Sequence, residues 1–349
     1  MSLFIASSPT VETYWRAIIL FGRNSASYKF ALAKSLLELM EAGKDFVTLE
    51  ELAAPYSRHL SGHLAKSDKQ GISGGSRFLD VCRQFNEGSI DAEALRQGTV
   101  RLGFNNVIDA FHIVNQTETE RRFFVDERKS KGGITLTDEL ASIKDSVQHP
   151  NLGHEVEARW RLVETAWSLD FAPRLLMVQY DEEAGDLYVK ESHNRRVDVT
   201  SCRAALNGYQ KGKCFYCFAD IILENNTLED NKLLCCDVDH FFPHSLGGQI
   251  PPGQANLNGV WNLVLSCASC NRGKEGKFAL VPVIEHLERL HQRNNYLIES
   301  HHPLRETLMQ QTGETEEQRR DFLQQVDNLA ISLLLHRWKA RSSDLPLNI

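Results

Sequence analysis

The sequence has no run of about 18 apolar residues, so it offers no segment long enough to span a bilayer as a helix. It has no surplus of positive charge either: 39 Lys and Arg stand against 46 Asp and Glu, a net charge of −7. Neutralising phosphates over a wide face needs clustered cations. Any contact with nucleic acid is therefore expected to be local, weak at rest, or assisted by a partner. The start, MSLFIASSPTVETYW, lacks the basic-then-apolar pattern of an export signal. Internal repeats and low-complexity linkers are missing too. In such a chain, paired cysteines suggest metal rather than disulfides, and a reducing cytoplasmic setting is expected. The rest is ordinary for a globular protein: 349 residues, 42% hydrophobic and 24% charged, enough for two or three domains.

Apolar spacing predicts helices over 12–42, with a break at Gly22–Asn24, over 48–64, within 75–115, and over 153–168. RRFFVDERKSKGGITLTDEL predicts a hairpin turning at Gly132 and Gly133. A second hairpin is expected from LLMVQY and DLYVKE, turning over Asp181–Gly185. Two further helical patterns come after residue 280, the second opened by Thr315 with Gln318 as a capping box. The expected plan is α+β: a mainly helical region at 1–200, a small inserted ββα domain at 201–280, and C-terminal helices at 281–349 packing on the first region.

Residues 201–280 change character, becoming rich in Cys, Asn, Gly and His. Cys214-Phe-Tyr-Cys217 and Cys267-Ala-Ser-Cys270 are two C-x-x-C knuckles with 49 residues between them. Four thiolates suit a tetrahedral structural Zn²⁺ that clamps both ends of the intervening motif. Cys235 and Cys236 are rivals, but neighbours in extended chain point to opposite faces, so both are assigned to packing.

Around the clamp stand Asp237-Val-Asp-His-Phe-Phe-Pro-His244 and Asn262 to Lys277. Phosphodiester hydrolysis needs an activated water, a cation on the phosphate, and help for the leaving oxygen. His240 can take the proton. Asp239 and Asn271 can offer hard oxygens to Mg²⁺ or Mn²⁺. Arg272, Lys274 and Lys277 can meet phosphate. Singly, each of these residues is more often a cap, a turn or a solvated charge; their joint order between two knuckles is what makes them specific.

VDHFFPHS, then NLVL, then C-x-x-CNRGK resembles the HNH, or ββα-metal, nuclease motif, notably that of RNA-guided nucleases and zinc-containing HNH endonucleases. The resemblance implies two antiparallel strands followed by a helix. It makes His240 the general base, Asp239 and Asn271 the ligands of a catalytic divalent cation, and Asn262 the asparagine that holds the loop and imidazole. His244 falls at a variable position, as a metal or phosphate contact. The whole-chain plan also resembles HNH effectors of bacterial anti-phage systems of the type II Zorya kind. That likeness implies degradation or nicking of invading DNA under control of partner proteins; a single ββα site cuts one strand per engagement, so nicking with low sequence specificity is the default expectation.

Two other classes stay open: a site-specific homing or recombination endonuclease, and a non-catalytic zinc-stabilised DNA- or protein-binding module. Outside the motif, Arg23, Lys29 and Lys34 read first as the polar face of a packed helix. Ser300 and Pro303 suit a helix start; capping and packing is the first reading of His301, His302 and Arg305, and reaching phosphate the second.

Overall fold

A computed structural model describes residues 9–21, 26–71, 75–114, 116–168, 177–190, 196–223, 235–250, 255–299 and 302–340. The fold is mixed α+β, and the chain divides into two compact units, Ser7–Pro173 and Arg174–Ile349. Among the described residues, no helix is long and apolar enough to cross a membrane.

In the first unit, α1 (Val11–Arg16) is capped by the Thr10 side chain and runs into a π-helical turn over Ala17–Phe21. The Gly22–Asn24 break and Arg23 lie outside the described residues. α2 (Tyr28–Glu41) and β1 (Phe46–Thr48) come next. α3 (Leu49–Leu64) opens on a reciprocal capping box between Thr48 and Glu51. α4 (Arg77–Asn86) and α5 (Ala92–Leu102) are capped by Ser76 and Asp91. After α6 (Val107–Ala110) come the short strands β2 (Ile113–Val114) and β3 (Thr117–Glu118). β4 (Phe124–Glu127) and β5 (Gly133–Leu136) form the first hairpin expected from sequence, and β1 joins them in the antiparallel order β1-β5-β4. A Cβ on Gly133 would lie 2.2 Å from the Val47 carbonyl oxygen, so β1 pairs this closely only with glycine there. α7 (Asp138–Lys144) and α8 (His149–Ser168) complete the unit around a core that includes Trp15, Phe30, Tyr56, Phe123 and Trp160. Lys29 and Lys34 serve the unit's own packing: Lys29 Nζ donates to the Ile113 carbonyl at 2.8 Å, and Lys34 pairs with Glu157 at 2.6 Å.

In the second unit, β6 (Gln179–Asp181) and β7 (Asp186–Lys190) form the second expected hairpin. Leu175 and Leu176 of that run lie outside the described residues. β8 (Arg196–Ser201), unanticipated, adds a third antiparallel strand and feeds α9 (Cys202–Gln210). Then come β9 (Cys236–His240), β10 (Leu263–Cys267) and α10 (Ala268–Arg272). β11 (Val281–Pro282) precedes α11 (Ile284–Glu299), α12 (Arg305–Thr312) and α13 (Glu316–Leu334), and β12 (Arg337–Trp338) returns to pair with β11 in parallel. Thr315 and Gln318 form the expected capping box.

Two organisational expectations change. The unit boundary falls near residue 174 rather than 200, because β6 to β8 belong with α9 and the elements C-terminal to it. The C-terminal helices, expected to form a separate segment at 281–349, share one unit with the Cys-rich segment. There they cover Trp261, a fully buried ring. Phe322 on α13 meets it edge-on at 4.8 Å, and Arg293 on α11 donates to its carbonyl oxygen at 3.0 Å.

Candidate metal centre and the adjoining Asp-His site

The first knuckle is a tight turn. The Cys214 amide donates to the Ala219 carbonyl at 2.8 Å, and the Phe218 amide donates back to the Cys214 carbonyl at 3.0 Å. The Phe215 amide docks the turn on β10 through the Leu265 carbonyl at 2.9 Å. In the second knuckle, Cys267 ends β10 and caps α10, which carries Cys270. One sulfur from each of Cys214, Cys217, Cys267 and Cys270 lies within 4.8 Å of the others. The Cys217 and Cys267 sulfurs are 3.8 Å apart, far beyond a disulfide bond and close to the roughly 3.8 Å that separates two sulfurs bound at about 2.3 Å on a tetrahedral Zn²⁺. These four cysteines therefore fit a structural metal ion, with zinc the natural occupant. Cys235 and Cys236 stand outside the group. Burial pushes the Cys236 thiol up to about 12, which keeps it protonated.

β9 and β10 are antiparallel, with His240 opposite Leu263, Asp239 opposite Val264 and Asp237 opposite Ser266. α10 continues directly from β10 and carries Asn271. Side chains alternate along a strand, so Asp237 and Asp239 share one face of β9 and His240 takes the other.

His240 is held by a residue that the motif does not contain. Its Nε2 lies 2.8 Å from Asn258 Oδ1. An amide oxygen only accepts, so Nε2 carries the proton and the neutral ring keeps its lone pair on Nδ1. Burial lowers the proton affinity of the ring, while the Asn258 bond and the Glu182 and Asp239 carboxylates oppose that. The net shift is downward, which favours a neutral imidazole near pH 7. The His244 ring stands 5.6 Å away, and its side chain is 59% exposed, so the solvent side of this site belongs to His244.

Asn262 is completely buried. Its Nδ2 donates to the Phe242 and Leu257 carbonyls at 3.0 and 2.9 Å, and its Oδ1 accepts from the Phe242 amide at 2.8 Å. It thus pins the segment after His240 to the segment that carries Asn258.

Asp239 is 6% exposed, and both of its oxygens are engaged. Tyr216 OH donates to Oδ2 at 2.7 Å, and Lys277 Nζ lies 3.2 Å from Oδ1. Burial pushes Asp239 up and Lys277 down, and their mutual attraction opposes both shifts. Lys277, expected at the phosphate, is instead fully buried, because it is the counter-ion of an interior carboxylate. The Asn271 amide meets Asp237 rather than Asp239, donating to Oδ2 at 3.1 Å. Exposed Arg272 also pairs with Asp237 at 2.8 Å, and Lys274 is exposed.

Tyr216, Asn258 and Asp237 therefore contact the candidate residues Asp239, His240 and Asn271, and the motif alone did not single them out. Asp237 carried a signal, standing two residues before Asp239 on a strand. His302 is buried, and its Nδ1 accepts from the Leu304 amide at 3.2 Å, so it helps to start α12. That helix begins at Arg305, and Ser300 and His301 lie outside the described residues. No protein-family model, curated protein or solved structure matches this chain.

Proposed function

We propose that the second unit is an HNH-type endonuclease site that hydrolyses phosphodiester bonds in DNA. One observation supports this above the others: the Asp239-His240 pair ends a strand, an antiparallel strand returns from it, and a helix bearing Asn271 comes next, with four cysteines bracing both ends. In this mechanism the neutral His240 takes a proton from water at Nδ1. Asn258 keeps the opposite nitrogen oriented and continues to accept its N–H once the ring is charged. Arg272 and Lys274, both exposed, meet the phosphate charge. His244 is our candidate for protonating the leaving oxygen.

Zinc in the four-cysteine group would hold the hairpin and helix together; it performs no step. A catalytic Mg²⁺ or Mn²⁺ would act as a Lewis acid on the phosphate. Asp239, with both oxygens engaged and an ammonium beside it, does not fit the ligand role given by the HNH resemblance.

A single site of this kind cuts one strand per engagement, so nicking is the expected product. Residues 201–277 carry seven Lys or Arg and seven Asp or Glu, so the segment offers little basal attraction for DNA. That suits a cytoplasmic effector released by partner proteins, as in anti-phage defence. Supercoiled plasmid incubated with the protein and Mg²⁺ or Mn²⁺ tests the proposal. Nicked circles and smearing support it, and discrete bands would indicate a site-specific enzyme. No change, alone or with candidate partners, would leave a zinc-stabilised binding module.

A further inference from the structure

Lys277 makes a full set of contacts. An ammonium has three donors, and the Lys277 Nζ meets three oxygens: Asp239 Oδ1 at 3.2 Å, the His240 carbonyl at 2.9 Å and the Phe278 carbonyl at 3.1 Å. The side chain is fully buried. One ammonium thus grips both residues of the Asp239-His240 pair. Tyr216 closes the other side of Asp239 through Oδ2. Both gripping residues are tied to the four-cysteine frame: Tyr216 sits between Cys214 and Cys217, and the Lys277 amide donates to the Cys270 carbonyl at 2.7 Å.

We propose that Lys277 is the resident cation of this site, and that Asp239 is a positioning carboxylate rather than a ligand for a divalent cation. A dication bound to Asp239 would stand close to a buried ammonium with no solvent to screen the repulsion. It would also have to displace a cation whose donors are all met. Asp239 acts through its neighbour: with Tyr216 and Lys277 it fixes the end of β9, and thereby the backbone from which the His240 ring extends. The same strand face leaves Asp237 as the more open carboxylate, with 20% of its side chain exposed and its partner Arg272 largely in solvent. The positioning role rests on the proposed use of His240 as the base.

Mn²⁺ titration followed by electron paramagnetic resonance, on the full chain with its zinc content verified, provides the test. Asp239→Asn is expected to bind Mn²⁺ as the wild type does, including not at all if the wild type does not. Lys277→Met is expected to gain one Mn²⁺ per chain, with affinity about 10- to 100-fold above any wild-type site, the range over which groups around a metal tune its binding. That gain is expected to vanish in Lys277→Met/Asp239→Asn. Loss of a wild-type Mn²⁺ site in Asp239→Asn overturns the proposal, as does a folded Lys277→Met without the gain. If Lys277→Met fails to fold, Lys277→Gln, uncharged but still able to donate to a carbonyl, takes its place with the same expected gain. Failure of the nuclease proposal is distinguishable, because it appears as absent plasmid cleavage whatever the Mn²⁺ titration reads.

Discussion

Asn258 Oδ1 lies 2.8 Å from His240 Nε2 and thereby selects the imidazole tautomer. The residues are 18 positions apart, on segments pinned together by Asn262. An acceptor is what this position requires. Asn258→Ala is expected to lower the cleavage rate by about 10- to 100-fold, as loss of an orienting partner does at other sites. Asn258→Asp keeps an acceptor and is expected to retain most of the rate. Equal losses in both variants, measured by single-turnover cleavage, would rule out tautomer selection.

Asn262 joins two segments through three buried hydrogen bonds. Asn262→Ala would strand the Phe242 amide and two carbonyl oxygens. Each orphaned buried group costs about 1–3 kcal/mol, so a total loss near 3 kcal/mol is expected after relaxation. Urea unfolding of the second unit should show it while zinc content stays unchanged. A loss below about 1 kcal/mol would mean that water or a shifted loop replaces these bonds.

Much of this site was readable from residue order. The two C-x-x-C spacings singled out the four cysteines, and the run from VDHFFPHS to CNRGK led to a strand, a strand and a helix. Gly132 and Gly133 marked the first hairpin. What escaped depends on burial, which residue type signals only on average. Lys277 is chemically suited to a phosphate, yet it serves an interior carboxylate. Tyr216 stands at an unspecified position of a C-x-x-C knuckle, where the spacing carries no signal for it. Asn258 stands in a polar run that reads as loop, and only the fold brings it to His240. The C-terminal helices carried no mark of their partner, since an apolar stripe fits any apolar surface.

The four cysteines should hold one zinc per chain. Structural zinc in comparable four-ligand sites contributes about 10–16 kcal/mol of apparent binding free energy, so its removal is expected to unfold the second unit. Chelation followed by circular dichroism and metal analysis reads both. Cys217→Ser is expected to release zinc, whereas Cys235→Ser is expected to keep it.

The first unit has its own pH dependence. The His63 ring stacks on Trp160 at 3.5 Å, with Nδ1 2.8 Å from Glu164 and Nε2 3.2 Å from Glu157. Burial alone would lower the His63 proton affinity, but the bonds and charges of the two glutamates reverse this, and the net shift is upward. A raised pKa means that the fold binds the proton more tightly than the unfolded chain does. The stabilisation is complete below the unfolded value of about 6.5 and is lost as pH rises through the folded value. The melting temperature of the first unit is expected to fall across that range. His63→Gln should flatten the slope; an unchanged slope would assign it to other groups.

The role of His240 as the base of a DNA-cutting site is decided by a single comparison. Supercoiled plasmid is incubated with Mg²⁺ or Mn²⁺ and either the wild type or His240→Ala, both carrying equal zinc and giving the same circular dichroism spectrum. The expected result is nicking by the wild type, with any partner it requires, and none by His240→Ala. Undiminished nicking by His240→Ala would contradict it.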